Sequence, residues 1–174
     1  MKKMLSLVVI LLVLVAGYLY ASPYLALNSI KNAAQARDAD KLSSYIDYPS
    51  VKQSVKDQFK AKLAAEMITS ENNDGFEALG SMFATAMIDP IVDGLITPEG
   101  VAAIMLKEQE QDSPEATSIQ EEPKELEYET SYDSFNSFHV DINNTERDDN
   151  VKVILHRQGL SWKITNIDFP LNNF

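Results

Sequence analysis

An uninterrupted apolar run opens the chain. After Lys2 and Lys3, MLSLVVILLVLVAGYLY extends from Met4 to Tyr20, and no charge appears again until Lys31. No face of this run is charged, so it does not read as a helix with one side against a core. As a helix, Met4 to Ser22 rises about 28 Å, close to the thickness of a bilayer's hydrocarbon. Tyr18, Tyr20 and Tyr24 gather at the far end, as aromatic residues do at a membrane interface, and the two lysines assign the near end to the cytoplasm. The competing reading is a cleaved export signal, whose apolar core is about 7–15 residues long and ends in a small-x-small site. This run is longer. Leu19-Tyr20-Ala21 puts a bulky residue where a small one belongs, and the better site, Val15-Ala16-Gly17, lies inside the run. Residues 1–22 are therefore expected to form an uncleaved inner-membrane anchor spanning through residues 4–22, with a signal segment as the alternative.

Beyond Pro23 the pattern changes to helices with punctuation between them. Tyr24, Leu27, Ile30 and Ala34 recur at helical spacing and run out in ARDAD, Ala36 to Asp40. Asp38 or Asp40 can cap the next helix, which carries Leu42, Tyr45 and Ile46. Asp47-Tyr48-Pro49 turns the chain, and Ser50 is expected to cap a longer helix. There Val51, Val55, Phe59, Leu63 and Met67 recur every four positions, flanked by Lys52, Lys56, Lys60 and Lys62. SENNDG, Ser70 to Gly75, is a loop by composition. In the helix from Phe76, the residues Leu79, Phe83, Met87 and Ile88 are expected in the core before Pro90 interrupts it. Ile91, Val92, Leu95 and Ile96 are expected to continue the burial. Thr97-Pro98-Glu99 then supplies a cap, a proline at the first helical position and an early acid for the short helix GVAAIML.

From Lys107 to Glu129 nine acids stand against Lys107 and Lys124 alone, and residues 107–123 read as a solvated, flexible linker. Alternation follows. Leu126, Tyr128, Thr130 and Tyr132 define the inner face of one strand, and Phe138, Val140 and Ile142 that of a second. After the polar stretch Asn143 to Asn150, Val151, Val153 and Leu155 mark a third, and Leu160, Trp162 and Ile164 a fourth. Ile167, Phe169 and Leu171 take the opposite parity, which predicts a bulge or bend near Asn166. His156-Arg157-Gln158-Gly159 is expected to connect the last two strands, with Gly159 at positive φ. The fold class predicted is α+β: an N-terminal transmembrane helix, then several helices packed on a C-terminal antiparallel sheet of about four strands. The division is 1–22 for the anchor and 23–174 for the domain.

Charge and chemistry narrow the function by exclusion. A formal charge of −11 argues against nucleic acid, whose phosphates require Lys and Arg. The lack of cysteine removes disulfides, thiolate metal sites, cysteine nucleophiles and lipoprotein attachment together. His139 and His156 lie on the outer parity of their strands, and as a pair they lack further identifiable metal ligands. DINNTERDDN, Asp141 to Asn150, opens like a calcium loop, but Glu146 occupies the glycine position and Lys152 the bidentate acid's. No phosphate loop, nucleophile elbow or zinc helix occurs. The sequence assigns no catalytic, cofactor-binding or metal residue and implies no cofactor.

Three stretches together resemble a known family. They are ASPYLALNSIKNAAQARDADKLSSYIDYPSVKQSVKDQ (Ala21 to Gln58), DPIVDGLITPEGVAAIM (Asp89 to Met105), and FHVDI followed by VILHRQGLSWKITNIDFP. The pattern resembles the bacterial domain-of-unknown-function family 2939, short envelope proteins that begin with an export or anchor segment. The resemblance implies localisation, not chemistry. The element order also resembles the nuclear-transport-factor-2-like cone, although the helices from Phe76 to Leu106 fit that fold less well. The expectation is a non-catalytic binding module of the bacterial envelope, anchored in the inner membrane with its domain in the periplasm. Its occupant would be a partner protein or a small apolar ligand held between helices and sheet. The alternatives are a cone-fold enzyme, with Asp47, His139 or Asp141 lining a polar pocket, and a cleaved, secreted ligand-binding protein.

Overall fold

The computed structural model describes residues 2–69, 75–111, 127–144 and 149–170. Five helices precede a four-stranded sheet: α1 (Lys2–Gln35), α2 (Ala39–Ser43), α3 (Tyr48–Thr69), α4 (Gly75–Leu95) and α5 (Pro98–Gln111), then β1 (Glu127–Ser134), β2 (Ser137–Asn144), β3 (Asp149–Gln158) and β4 (Ser161–Asp168). The sheet is an antiparallel meander in the order β1-β2-β3-β4. Its inner face is the one the alternation predicts: Phe138, Val140, Leu155, Trp162 and Ile164 are buried, together with Ala26 of α1, Val51 and Val55 of α3, and Ile88 and Val92 of α4. Ile154 faces Asn166 across the β3–β4 ladder and Leu155 faces Ile164, so Thr165 is the extra residue. This bulge reverses the parity of β4 and lets Ile167 and Phe169 pack on the core, as expected from the sequence.

Several boundaries move. Instead of yielding at Pro23, α1 continues through it to Gln35. It ends where Arg37 adopts φ 53° and the Asp38 and Arg37 amides reach back to the carbonyls of Ala33 and Ala34, the double bond that closes many helix C-termini. Asp38 caps α2 by accepting from the Lys41 amide at 2.9 Å. That helix ends at Ser43, and Ile46 instead pairs in parallel with Ile164 at the edge of β4. Asp47, not Ser50, caps α3, because Pro49 fits the first turn, where no amide proton is needed. Pro90 likewise lies inside α4, which is held on either side of it by the burial of Ile88 and Val92.

Thr97 caps α5 as expected, its hydroxyl accepting from the Gly100 amide at 3.0 Å. Gly100 is required there, since a Cβ would collide with the Leu95 carbonyl. The helix runs to Gln111, five residues into the expected linker 107–123; the remainder of that segment and the 70–74 part of SENNDG lie outside the described residues. The last hairpin turns on Gly159 (φ 65°) and Leu160 alone, so His156 and Arg157 are strand residues, and Leu160, expected on the inner face, is instead exposed at the tip.

The lysines flanking the α3 stripe dock α4. Lys56 and Lys52 meet Asp93 at 2.8 and 3.8 Å, and Lys60 meets Asp89 at 2.7 Å, so the two helices run antiparallel. The Lys56 hydrogen bond lowers the Asp93 carboxyl below its ordinary value of 3.8. A depressed acid stabilises above its unfolded pKa, and that contribution disappears as pH falls through the lower native value. Asp93→Asn should therefore lower the melting temperature slightly at pH 7, and the difference from the parent should shrink steadily as pH falls below 3.8. A difference that persists in acid would show that the carboxylate's charge is not what docks α4.

Candidate functional site

Proline at position 23 removes the amide that would bond the Leu19 carbonyl four residues earlier. The fold supplies two substitutes. Ser22 Oγ donates to Leu19 O at 2.8 Å, and Arg157 Nη2, from the far end of the chain, donates to the same oxygen at 2.9 Å. Trp162 Nε1 donates in turn to Ser22 Oγ at 2.8 Å, and Tyr132 Oη to the Tyr20 carbonyl at 2.8 Å. The Arg157 guanidinium stacks between Phe135 and Trp162, 4.6 and 4.5 Å from their ring centroids. The hairpin that carries arginine and tryptophan is thus a clamp on α1 at its proline. Ser22→Ala would leave the buried indole N–H without an acceptor, and urea unfolding should show a loss of about 1–3 kcal/mol.

Beside the clamp lies a cavity of about 690 Å³, lined by Ala16, Leu19, Tyr20, Tyr132, Phe135 and Arg157 among others. Tyr20 and Tyr132 stack at 5.6 Å, and burial raises the Tyr132 phenol pKa against the opposing pull of the Arg157 charge. Arg157 Nη1 is buried and has no hydrogen-bond partner among the described residues.

A second, polar cleft of about 620 Å³ opens between α3 and the outer side of β3 and β4, with Asp47, Ser54, Asp57, Gln58, His156 and Thr165 in its wall. Its groups are committed to the fold. Asp47 caps α3 and accepts from Gln158 Nε2 at 2.8 Å, His156 Nδ1 lies 2.6 Å from Thr165 Oγ1, and Ser54 bonds Asn166. Of the three polar residues the enzyme alternative would use, only Asp47 lies here. His139 sits elsewhere on the outer face, with Asp133 on Nδ1 at 2.7 Å and Asp141 on Nε2 at 3.3 Å. These carboxylates occupy opposite edges of the imidazole and do not converge. The ladder pairs His139 with Ile154, so the two histidines do not face each other. No group of three potential metal ligands is assembled among the described residues.

The third feature corrects the sequence reading of α4. Ile88 and Val92 take the buried side, while Phe83, Met87, Ile91 and Leu95 are 71, 43, 49 and 65% exposed. At intervals of four they form one outward apolar stripe. Ile104 and Leu106 of α5 are also exposed. Alternatives on opposite sides of an almost wholly apolar helix cannot be told apart by spacing, because either stripe satisfies the period. In α3, by contrast, Val51 and Val55 are buried as expected, with Leu63 half-buried and Phe59 partly exposed.

Fold and sites together define a class: an α+β domain carried on one helix long and apolar enough to cross a membrane. The chain belongs to the family described as "Protein of unknown function (DUF2939)", whose model matches residues 12–104. That match runs from the apolar helix into α5 and stops short of the sheet, whereas the likeness read from the sequence extended through the last hairpin. No curated protein and no solved structure matches the chain.

Proposed function

We propose that this protein is a single-pass, membrane-anchored binding module of the bacterial envelope, non-catalytic, with its domain on the periplasmic side and a partner protein held on α4. The observation that carries the reading is the outward stripe Phe83, Met87, Ile91, Leu95, an apolar face of the kind that marks protein interfaces. Lys2 and Lys3 before the apolar run support the orientation. Trp162, Phe138 and Leu155 fill the space between helices and sheet, at 1, 0 and 0% exposure, which favours a protein partner over a small apolar ligand housed there.

Native mass spectrometry of the protein extracted from membranes in mild detergent tests this. The expected result is a full-length mass with a stoichiometric second polypeptide. A full-length mass without one overturns the partner. A mass beginning near Tyr18 or Ser22, found in the soluble fraction, overturns the anchor in favour of a cleaved, secreted protein. The cone-enzyme alternative rests on the polar cleft, and it would require His156→Ala or Asp47→Asn to abolish a turnover that the parent performs.

A further inference from the structure

We propose that the cavity beside Arg157 is a site for the phosphodiester headgroup of an anionic phospholipid, with one acyl chain lying along Ala16 and Leu19. The inference rests on the membrane anchoring proposed above. If the span ends at Ser22, Leu19 lies about 5 Å inside the outer end of the hydrocarbon. The cavity then sits within the outer leaflet and not above it. The sheet agrees with this depth. Its β1–β2 and β3–β4 turns lie at the same end of the meander, beside α1, and each presents a large apolar side chain: Phe135, 64% exposed, and Leu160, 72% exposed. Tips of this kind, flanking a tyrosine-bearing helix end, suit the boundary between headgroups and acyl chains.

The chemistry of the wall selects the headgroup. Arg157 gives Nη2 to Leu19 and Nε to the Phe135 carbonyl at 3.4 Å and stacks on two rings, while Nη1, shielded from solvent, has no partner among the described residues. A guanidinium N–H in that state calls for an anionic oxygen, and phosphate oxygens are its best geometric match. Tyr20 and Thr130, which carry hydroxyls, line the same space. Among the described residues no carboxylate lines it, although the chain carries a net charge of −11. Asp133, which adjoins the lining residues Tyr132 and Ser134, is bonded to His139 on the outer face.

The chain's single tryptophan, stacked on Arg157, provides the readout. Full-length protein is reconstituted in two sets of nanodiscs, each of phosphatidylcholine with a minority of phosphatidylglycerol. One set carries acyl-chain bromines on the anionic lipid, the other on an equal mole fraction of the zwitterionic lipid. The expected result is at least about twofold stronger quenching of Trp162 by the brominated anionic lipid, a preference lost in Arg157→Gln and retained in Arg157→Lys. Equal quenching by both lipids in the parent overturns the headgroup site and leaves the anchor standing. So does an absence of quenching while the protein stays in the disc. A preference that survives Arg157→Gln overturns the role of the guanidinium, and one erased by millimolar glycerol phosphate assigns the site to soluble phosphate instead. Failure of the protein to co-elute with the discs defeats the anchor itself, and this inference with it.

Discussion

Trp162→Ala is expected to destabilise the domain by about 3–5 kcal/mol, the range for truncating a large buried aromatic. The ring is 1% exposed and packs edge-on against Phe138 at 6.3 Å and Tyr132 at 6.2 Å. Its loss would open a cavity among three elements, remove one face of the Arg157 stack and leave Ser22 Oγ without its donor. Urea unfolding followed by far-ultraviolet circular dichroism is the measurement, since the substitution removes the fluorophore. Trp162→Phe separates the contributions: it keeps most of the packing and forfeits the bond to Ser22. A loss under about 1 kcal/mol for the alanine variant would show that the ring does not hold sheet and helix together.

The second large effect concerns α4. Phe83→Lys and Ile91→Lys should each weaken partner binding by at least about thirtyfold if these side chains are interface anchors of ordinary strength, worth about 2 kcal/mol or more. Because both are exposed, the domain's own stability should move by no more than about 0.5 kcal/mol. Ile88→Lys gives the contrast. It puts a charge on the buried side, against α3, and should detach or unfold α4. Retention of the second polypeptide by Phe83→Lys and Ile91→Lys, assayed in the detergent extract, would remove α4 from the interface.

Most of the sheet was legible because one face is dry and the other wet. With a period of two, a slip of one residue would expose Phe138 and Leu155, so alternation fixes the register and even the bulge at Thr165. The cap at Thr97 was legible for a similarly local reason, its hydroxyl bonding an amide three residues on. The prolines misled. A proline is locally a helix breaker, but its effect depends on who satisfies the freed carbonyl, and at Pro23 the answer is Arg157, 138 residues beyond Leu19. The candidate site escaped the sequence for the same reason. The hairpin's arginine and tryptophan were conspicuous, yet their partners Leu19 and Ser22 lie in a segment that reads only as apolar helix.

The sequence by itself determined the apolar span, most of the inner face of the sheet and the cap at Thr97. All of these follow from patterns a few residues long, in which each side chain's environment is set by its neighbours in the chain. Tertiary structure alone decided that α1 passes unbroken from apolar run to domain, that α4 turns Met82, Phe83 and Met87 outward, and that Arg157 holds a buried N–H beside the tyrosines with no partner among the described residues. Those outcomes depend on which distant surfaces compete for a helix face or a hydrogen bond. No local period records that competition.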